Sequence, residues 1–480
     1  SQRFYRSCGL NLNKLSFMKH YDLIIIGGGG GTKLRPAADL GKSVAIIEKE
    51  DLGGTCLNRG CIPSKMLIYP ADLKTHWQED HDKFFMSDSG KIKLDWEKLV
   101  ARTTETIQNE SASIKPGYEA HKHIDFYHGH ARFIEGKVIE VNGEKLTADK
   151  IFVATGTRPA MPHIPGLKGT PYMTSREALR NTKQPEKMII IGGGYIAVEL
   201  GHFYGAMGTA VDFVVRSGMI SAEDIDIREK FEQNFSSRYN VRLETDTKKI
   251  EFKDNTFYVT VSDCEGNMTV LEADALLVAT GVTPNTDDLG LKNTQVEACE
   301  KGWVKVDENL ETAEPGVYAL GDIINQYLFR HSVNFEGEYL YAQHYGGADK
   351  APIAYPPMPH AIFTYPQIAG VGVTEDLLLA EGKIEGQDYL VAWQDYKATA
   401  MGMAMRPEVG GVKLIADVKT RKLIGAHMIG EKSSDMIHML IAYMTMHATA
   451  DQLLEMIYIH PALSEVIRNA ARKLVKALDA

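Results

Sequence analysis

The chain has 480 residues, too many for one core, so about two to four domains are expected. With 44% apolar and 24% charged residues its composition is that of a water-soluble globular protein. The net charge of −10 argues against a nucleic-acid partner, which needs a basic surface, and no apolar run approaches the length that spans a bilayer.

Five cysteines (Cys8, Cys56, Cys61, Cys264, Cys299) are too few, and odd in number, for a secreted disulfide framework. A reducing compartment fits them, and a cytoplasmic location is expected. The first 21 residues carry Arg3, Arg6, Lys14 and Lys19 and no acid. Residues 1–18 read as a disordered leader, with sequence upstream of a start at Met18 as one origin. An organelle transit segment, and hence the mitochondrial matrix, is the alternative.

The first strong element is Tyr21 to Ile26, a short β-branched apolar run that reads as a buried parallel strand. Five glycines follow, Gly27 to Gly31, then a helix to Leu40 with Pro36 in its first turns, where a kink or shortening is expected. A second buried strand, Ser43 to Ile47, ends at Glu48, completing a βαβ unit. The pattern returns at Lys187 to Ile191, with Gly192-Gly193-Gly194, a helix over Tyr195 to Tyr204, and a strand from Val211 to Val215. Each unit is trailed by a similar phrase, Ala154-Thr155-Gly156-Thr157-Arg158-Pro159 and Ala279-Thr280-Gly281-Val282-Thr283-Pro284. This domain-scale repeat predicts two nucleotide-binding domains built alike. Short antiparallel strands are expected over 122–151, which turns on Gly129, Gly136 and Gly143, and over 252–277. The Pro-rich segment 351–359 reads as a linker. Beyond it, strands near 412–416 and 423–428 and helices over 434–447 and 461–478 predict an α+β third domain.

A glycine turn between strand and helix lets backbone N–H groups meet a pyrophosphate. Gly27, Gly29 and Gly31 are placed for this, and Glu48, about 20 residues on, for ribose hydroxyls. The third fingerprint position departs from glycine, being Thr32. In the second unit Gly192 and Gly194 keep the turn, but the acid position holds Val215 and Arg216 follows. An acid there binds the 2′-hydroxyl of NAD, whereas a cation accepts the 2′-phosphate of NADP. A solvated strand-end residue is the alternative for Arg216. The segment Gly53 to Lys65 contains Cys56 and Cys61 around Leu-Asn-Arg-Gly. Two thiols at this spacing can pair if the turn is tight. A zinc half-site would want a second ligand pair, and the other cysteines are isolated.

This segment resembles the active-site motif of the pyridine nucleotide-disulfide oxidoreductases, and the resemblance covers the chain from Lys19 onward. It implies an α/β fold of two Rossmann-like nucleotide-binding domains, for FAD and NAD(P)H, plus a C-terminal α+β dimerisation domain. The boundaries it suggests are 19–158 and 285–352 for the FAD-binding parts, 159–284 for the NAD(P) domain and 353–480 for dimerisation. Thr312 to Asp322 matches the family's second FAD motif, with Gly321 at the turn and Asp322 on the ribityl chain. Thr55, Ala131, Thr155 and Gly156 fall at further FAD positions, and Gly281 on the nicotinamide side. Tyr195 and Glu199 match positions beside the nicotinamide face. Lys65 matches the lysine near flavin N5 that pairs with Glu199. His460 and Glu465 match the acid–base pair, in which the carboxylate holds one imidazole tautomer; the family supplies it from a partner subunit, so an obligate homodimer with a shared site is implied. His438 and His447 read as ordinary helix residues. In the mechanism so implied, Cys61 is the thiol nearer the flavin and Cys56 attacks the substrate disulfide.

Ser64 before Lys65, the residues between the cysteines and His460 to Glu465 resemble dihydrolipoamide dehydrogenase, the expected type, acting on a lipoyl or small-molecule disulfide. Arg216, with no acid at Val215, is unlike that NAD-linked enzyme, and residues 65–71 and Phe329 to Glu336 look more like mycothione reductase. Glutathione reductase fits less well, Ala37 standing where its substrate-binding arginine is expected. A non-catalytic flavoprotein or a structural subunit of a ketoacid dehydrogenase complex is the reading of a different class, against which the dithiol, Lys65 and the His460–Glu465 pair argue.

Overall fold

A computed structural model describes residues 18–86 and 92–480. The expected leader, Met18 apart, and Cys8 lie outside the described residues. The chain divides into two compact units.

The first unit comprises residues up to Asn58, Asn109–Arg158 and Thr283–Ile353. Its seven-stranded sheet runs in the order Ile124–His128, Val44–Glu48, Lys19–Ile26, Glu144–Val153, Val138–Val141, Arg132–Glu135, and Val317–Ala319 also pairs with Glu144–Val153. The central strands are parallel, with Leu23 opposite Val44 and Ile26 opposite Val153. Strand Lys19–Ile26 is apolar without alternation because both of its faces are covered. Leu23 and Ile25 pack with Leu34, Ala37 and Ala38 of the following helix. Ile24 and Ile26 pack with Ala45, Ile47 and Ile151 on the other side. That helix, Gly30–Leu40, is wound as 3₁₀ and contains Pro36. The stretch 122–151 is antiparallel only in its last three strands. Ile124–His128 runs parallel to Val44–Glu48, because it is entered from a helix, Trp96–Glu119, rather than from a hairpin.

The second unit comprises Arg59–Gln108, Pro159–Val282 and residues from Ala354 onward. A four-stranded parallel sheet has the order Asn240–Arg242, Ala210–Val214, Lys187–Ile191, Ala275–Val278. Beside it Asp246–Lys253, Thr256–Ser262 and Met268–Ala273 form an antiparallel meander. The expected strand region 252–277 is therefore split, its last strand joining the parallel sheet. A five-stranded antiparallel sheet, Pro359–Ile362, Ile368–Gly372, Leu423–Ile429, Gly411–Asp417, Tyr389–Asp395, carries the helices Ser433–Thr445 and Glu465–Leu478. The last helix begins four residues later than its Pro461 suggests. The Glu465 carboxylate takes the Ala462 N–H at 3.2 Å, so residues 461–464 form a turn where a first helical turn was expected.

Lys413, on strand Gly411–Asp417, is only 1% exposed. Its ammonium contacts Asp224 at 2.9 Å, Asp226 at 2.5 Å and Glu375. Burial alone would pull its pKa down, but these carboxylates hold it above the ordinary lysine value. Removing one member of a buried ion cluster strands the others. Lys413→Met is expected to destabilise the protein by about 3–5 kcal/mol, read as a lowered urea midpoint. A midpoint unchanged from wild type would show that the three acids reach water without it.

Candidate functional site

The two glycine turns do the same local job. Gly27 has φ +113°, and a Cβ there would lie 2.2 Å from the Ala154 carbonyl oxygen. Gly192 has φ +131°, and its Cβ would lie 2.2 Å from the Ala279 oxygen. Each turn thus passes directly over the neighbouring parallel strand, which only glycine permits.

In the first unit Gly28 donates its N–H to Glu48 Oε2 at 2.7 Å, and Glu50 donates to Oε1 at 2.8 Å. The expected ribose carboxylate therefore also ties the turn to the strand end. Gly29 faces Gly54 closely, since a Cβ on Gly54 would lie 2.7 Å from Gly29 Cα. Gly29 and Gly54 thus meet backbone to backbone, the nearest side-chain atom to the Gly29 Cβ position being Arg330 Nη1 at 4.0 Å, with Thr55 next in the chain and Gly31 buried on the helix behind. Ala131 is buried in the sheet core. Thr155 and Asn285 exchange hydrogen bonds at 3.1 and 2.8 Å, and Gly156 follows with φ +61°. Thr157 Oγ1 donates to Asp322 Oδ2 at 3.2 Å, and burial holds that carboxyl above its usual pKa. Gly321 donates its N–H to Glu336 at 2.6 Å. Sequence reading passed over Thr157, Asn285 and Glu336 as site-shaping groups. The legible signal for Glu336 was an acid on the apolar face of a helix.

The cysteine segment is a helix–break–helix. Cys56 lies half-buried in Gly54–Arg59, and Cys61 opens the long helix Cys61–Lys83. The buried Asn58 donates its amide N–H groups to the carbonyls of Asp51, Leu52 and Gly54 at 2.9–3.2 Å. One side chain thus clamps the loop that leads to Cys56, a role its position between the cysteines did not suggest. Ser64 Oγ donates to the Cys61 carbonyl at 3.1 Å.

In the second unit Lys65 Nζ meets Glu199 Oε2 at 2.7 Å and lies 4.4 Å from the centre of the Phe363 ring. Glu199 Oε1 accepts the Phe363 N–H at 2.9 Å, so both carboxylate oxygens are held. Gly194 caps helix Tyr195–Met207. Tyr195 donates its hydroxyl to Glu223, whose other oxygen is 2.9 Å from His360 Nε2. Burial first, then the Glu223 charge, pushes the Tyr195 phenol well above its usual value. Glu223 and His360 were not anticipated, because they are distant in sequence. Val215 is buried, and a Cβ on Gly193 would strike its methyl at 2.7 Å. Arg216 is exposed just beyond it. Gly281, at φ +110°, accepts the Ala160 N–H at 2.9 Å.

His460 Nδ1 is 3.1 Å from both oxygens of Glu465. Glu465 is 2% exposed. The Ala462 N–H, then His460 and Arg468, hold its carboxyl below the usual range. Arg468, at 2.8 Å, is a third member that sequence reading missed, although its i+3 spacing on the helix was available. His438 lies in helix Ser433–Thr445 and His447 just past its end.

Both parts of the chain match a family model: residues 21–344 that of pyridine nucleotide-disulphide oxidoreductase, residues 358–471 that of its dimerisation domain. The chain belongs to the pyridine nucleotide-disulphide oxidoreductase family. It is a flavoprotein disulfide oxidoreductase with Rossmann-like FAD- and NAD(P)-binding domains, and its dimerisation domain implies a homodimer. Family membership likewise implies binding of FAD and NAD(P)H, and the bare backbone at Gly29 and Gly54 suits a diphosphate. A mycothione reductase of Mycobacterium tuberculosis is 34% identical, over 94% of this chain and 99% of that protein. A dihydrolipoyl dehydrogenase of Bacillus subtilis is 31% identical, over 94% and 97%. The Cu(II) complex of the HOCl-induced flavoprotein disulfide reductase RclA from Escherichia coli superposes with a TM-score of 0.83 at 26% identity, covering 95% of this chain and 100% of that one. These relatives divide among several substrates, so family membership leaves the substrate open. Among the described residues no helix is long and apolar enough to cross a membrane.

Proposed function

We propose that the protein is an NAD(P)H-dependent dithiol–disulfide oxidoreductase of the dihydrolipoamide dehydrogenase type, working through Cys56 and Cys61. The observation that carries the catalytic reading is the His460–Glu465–Arg468 cluster, a solvent-exposed imidazole fixed through Nδ1 by a buried, charged carboxylate. Its Nε2 is thereby left for proton transfer. Residues 19–158 and 285–352 hold FAD, 159–284 hold the nicotinamide nucleotide, and 353–480 pair two copies.

FAD, when bound, carries the electron pair between the nicotinamide nucleotide and the dithiol. Asp322, set by Thr157, and the Gly29–Gly54 cradle orient it. Lys65, fixed by Glu199, would supply a cation to the flavin. Tyr195, fixed by Glu223, covers the nicotinamide side. In reduction of a substrate disulfide, Cys56 Sγ attacks one sulfur, and the S–S bond breaks as the mixed disulfide forms. The departing thiolate takes a proton from His460. Cys61 then attacks Cys56 Sγ, releasing the second thiol and closing the Cys56–Cys61 disulfide. Oxidation of a dithiol runs the same steps backwards. His460 and Glu465 serve the dithiol of the other subunit. Ile457 and Ile459, just before His460, are 95% and 77% exposed on the single chain, an apolar surface that a partner would cover.

A low-molecular-weight disulfide reductase of the mycothione or glutathione kind is the second reading, favoured by Val215 and Arg216. A panel of lipoamide, glutathione disulfide and bis-thiol disulfides, run with NADH and with NADPH, separates the two. Turnover of none of them would overturn both readings in favour of a non-catalytic flavoprotein.

Nucleotide choice follows from the same two residues. Val215 offers no acceptor to a ribose 2′-hydroxyl, and the exposed guanidinium of Arg216 can reach a 2′-phosphate. A charge-assisted contact is worth about 1.5–3 kcal/mol. A modest NADPH preference is expected, with NADH still used. Val215→Glu/Arg216→Phe should move the kcat/KM ratio towards NADH by at least about tenfold, or 1.4 kcal/mol. A wild type that favours NADH, with a ratio indifferent to Arg216, would make this arginine a solvated surface residue.

A further inference from the structure

Arg330 stands at the start of helix Arg330–His344 in the first unit. It is half-buried, and among the described residues its guanidinium has no ion-pair or hydrogen-bond partner. Such a charge is costly to hold away from water without an anion. Its position shows where an anion would go. Nη1 lies 4.0 Å from the point where a Cβ on Gly29 would stand, and Gly54 Cα lies 3.3 Å from the same point. The guanidinium thus borders the one face of the glycine turn that is clear of side chains.

Neighbouring groups are already committed. Lys33, one turn along the 3₁₀ helix, is paired with Glu338 at 2.7 Å. The Glu48 carboxylate is taken by the N–H groups of Gly28 and Glu50. Thr32, standing at the third fingerprint glycine, turns its hydroxyl back onto the Gly29 carbonyl at 2.7 Å. Phe329 and His331 stack on each other at 5.1 Å on either side of Arg330 in the chain, which steadies its backbone.

We propose that Arg330 is the side-chain cation that binds the FAD diphosphate in the Gly29–Gly54 cradle, an inference that rests on the FAD-binding role of this unit. Backbone N–H groups and the helix end supply only partial charges. A guanidinium supplies a full one, in the fork geometry that matches phosphate oxygens.

The test is flavin release from the holoenzyme, followed by the fluorescence that appears on dilution. Arg330→Met should release FAD about ten- to a hundredfold faster than wild type, the range of a charge-assisted contact, and Arg330→Lys should recover most of the loss. Added salt should speed release from wild type more than from Arg330→Met. The flavin-stripped proteins should melt together, because Arg330 pairs with no acid. Release within twofold of wild type, with the same salt response, would overturn the proposal. Wild-type protein purified without flavin would instead overturn the cofactor reading beneath it.

Discussion

Cys56→Ser should abolish disulfide turnover while leaving the long-wavelength charge-transfer band that two-electron reduction produces in the wild-type holoprotein; Cys61→Ser should abolish the band. The two sulfurs differ in their settings. Cys61 opens a 23-residue helix, and the N-terminal end of a helix favours an anionic sulfur. Cys56 lies inside the short preceding helix, after a loop clamped by Asn58, a fixed platform for attack on an incoming disulfide. A serine hydroxyl is not ionised at neutral pH and cannot form the mixed disulfide. The expected loss in Cys56→Ser is at least about 10⁴-fold, or roughly 5 kcal/mol of barrier. Turnover of artificial electron acceptors, which need no dithiol, should survive in both variants. A band that persists in Cys61→Ser and vanishes in Cys56→Ser would reverse the two roles.

The division between what could and could not be read from the chain has a physical basis. Strand Lys19–Ile26 and its counterpart Lys187–Ile191 were legible because a parallel strand covered on both faces is a β-branched run, and because glycine must follow where the turn crosses a neighbouring strand. The direction of Ile124–His128 was not legible. A half-buried edge strand has the same alternation whether it runs parallel or antiparallel, and what precedes it decides. Lys65 with Glu199, and His460 with Glu465, were expected as pairs, and the structure brings each together. Their supports were hidden. Phe363 reaches Glu199 through a backbone N–H, which no side-chain pattern betrays. Glu223 reaches Tyr195 across 28 residues, and His360 reaches Glu223 across 137. Arg468 was within reach of pattern reading, being one helical turn from Glu465. Arg330 lay in a quoted segment, yet its meaning depends on the fold that brings it to Gly29.

His460→Ala should slow disulfide turnover by about 10²–10⁴-fold, the usual contribution of a general acid–base group, and leave turnover of artificial acceptors almost unchanged. Glu465 grips Nδ1 with both oxygens and is itself fixed by Ala462 N–H and Arg468. The ring can then turn little, and Nε2 faces outward on a side chain that is 70% exposed in the single chain. Glu465→Gln keeps the shape and removes the charge that holds the imidazole through Nδ1. It should therefore lower kcat for the disulfide with little change in KM, by less than the loss of the imidazole itself. Equal losses in both assays for His460→Ala would sink the proton-transfer role. The same variant tests the shared site. Two inactive chains, His460→Ala and Cys56→Ser, allowed to exchange subunits, should regain activity, because half of the sites in each mixed dimer join an intact Cys56 to an intact His460. Mixtures that form dimers and remain inactive would place the histidine and the dithiol of one chain at the same site.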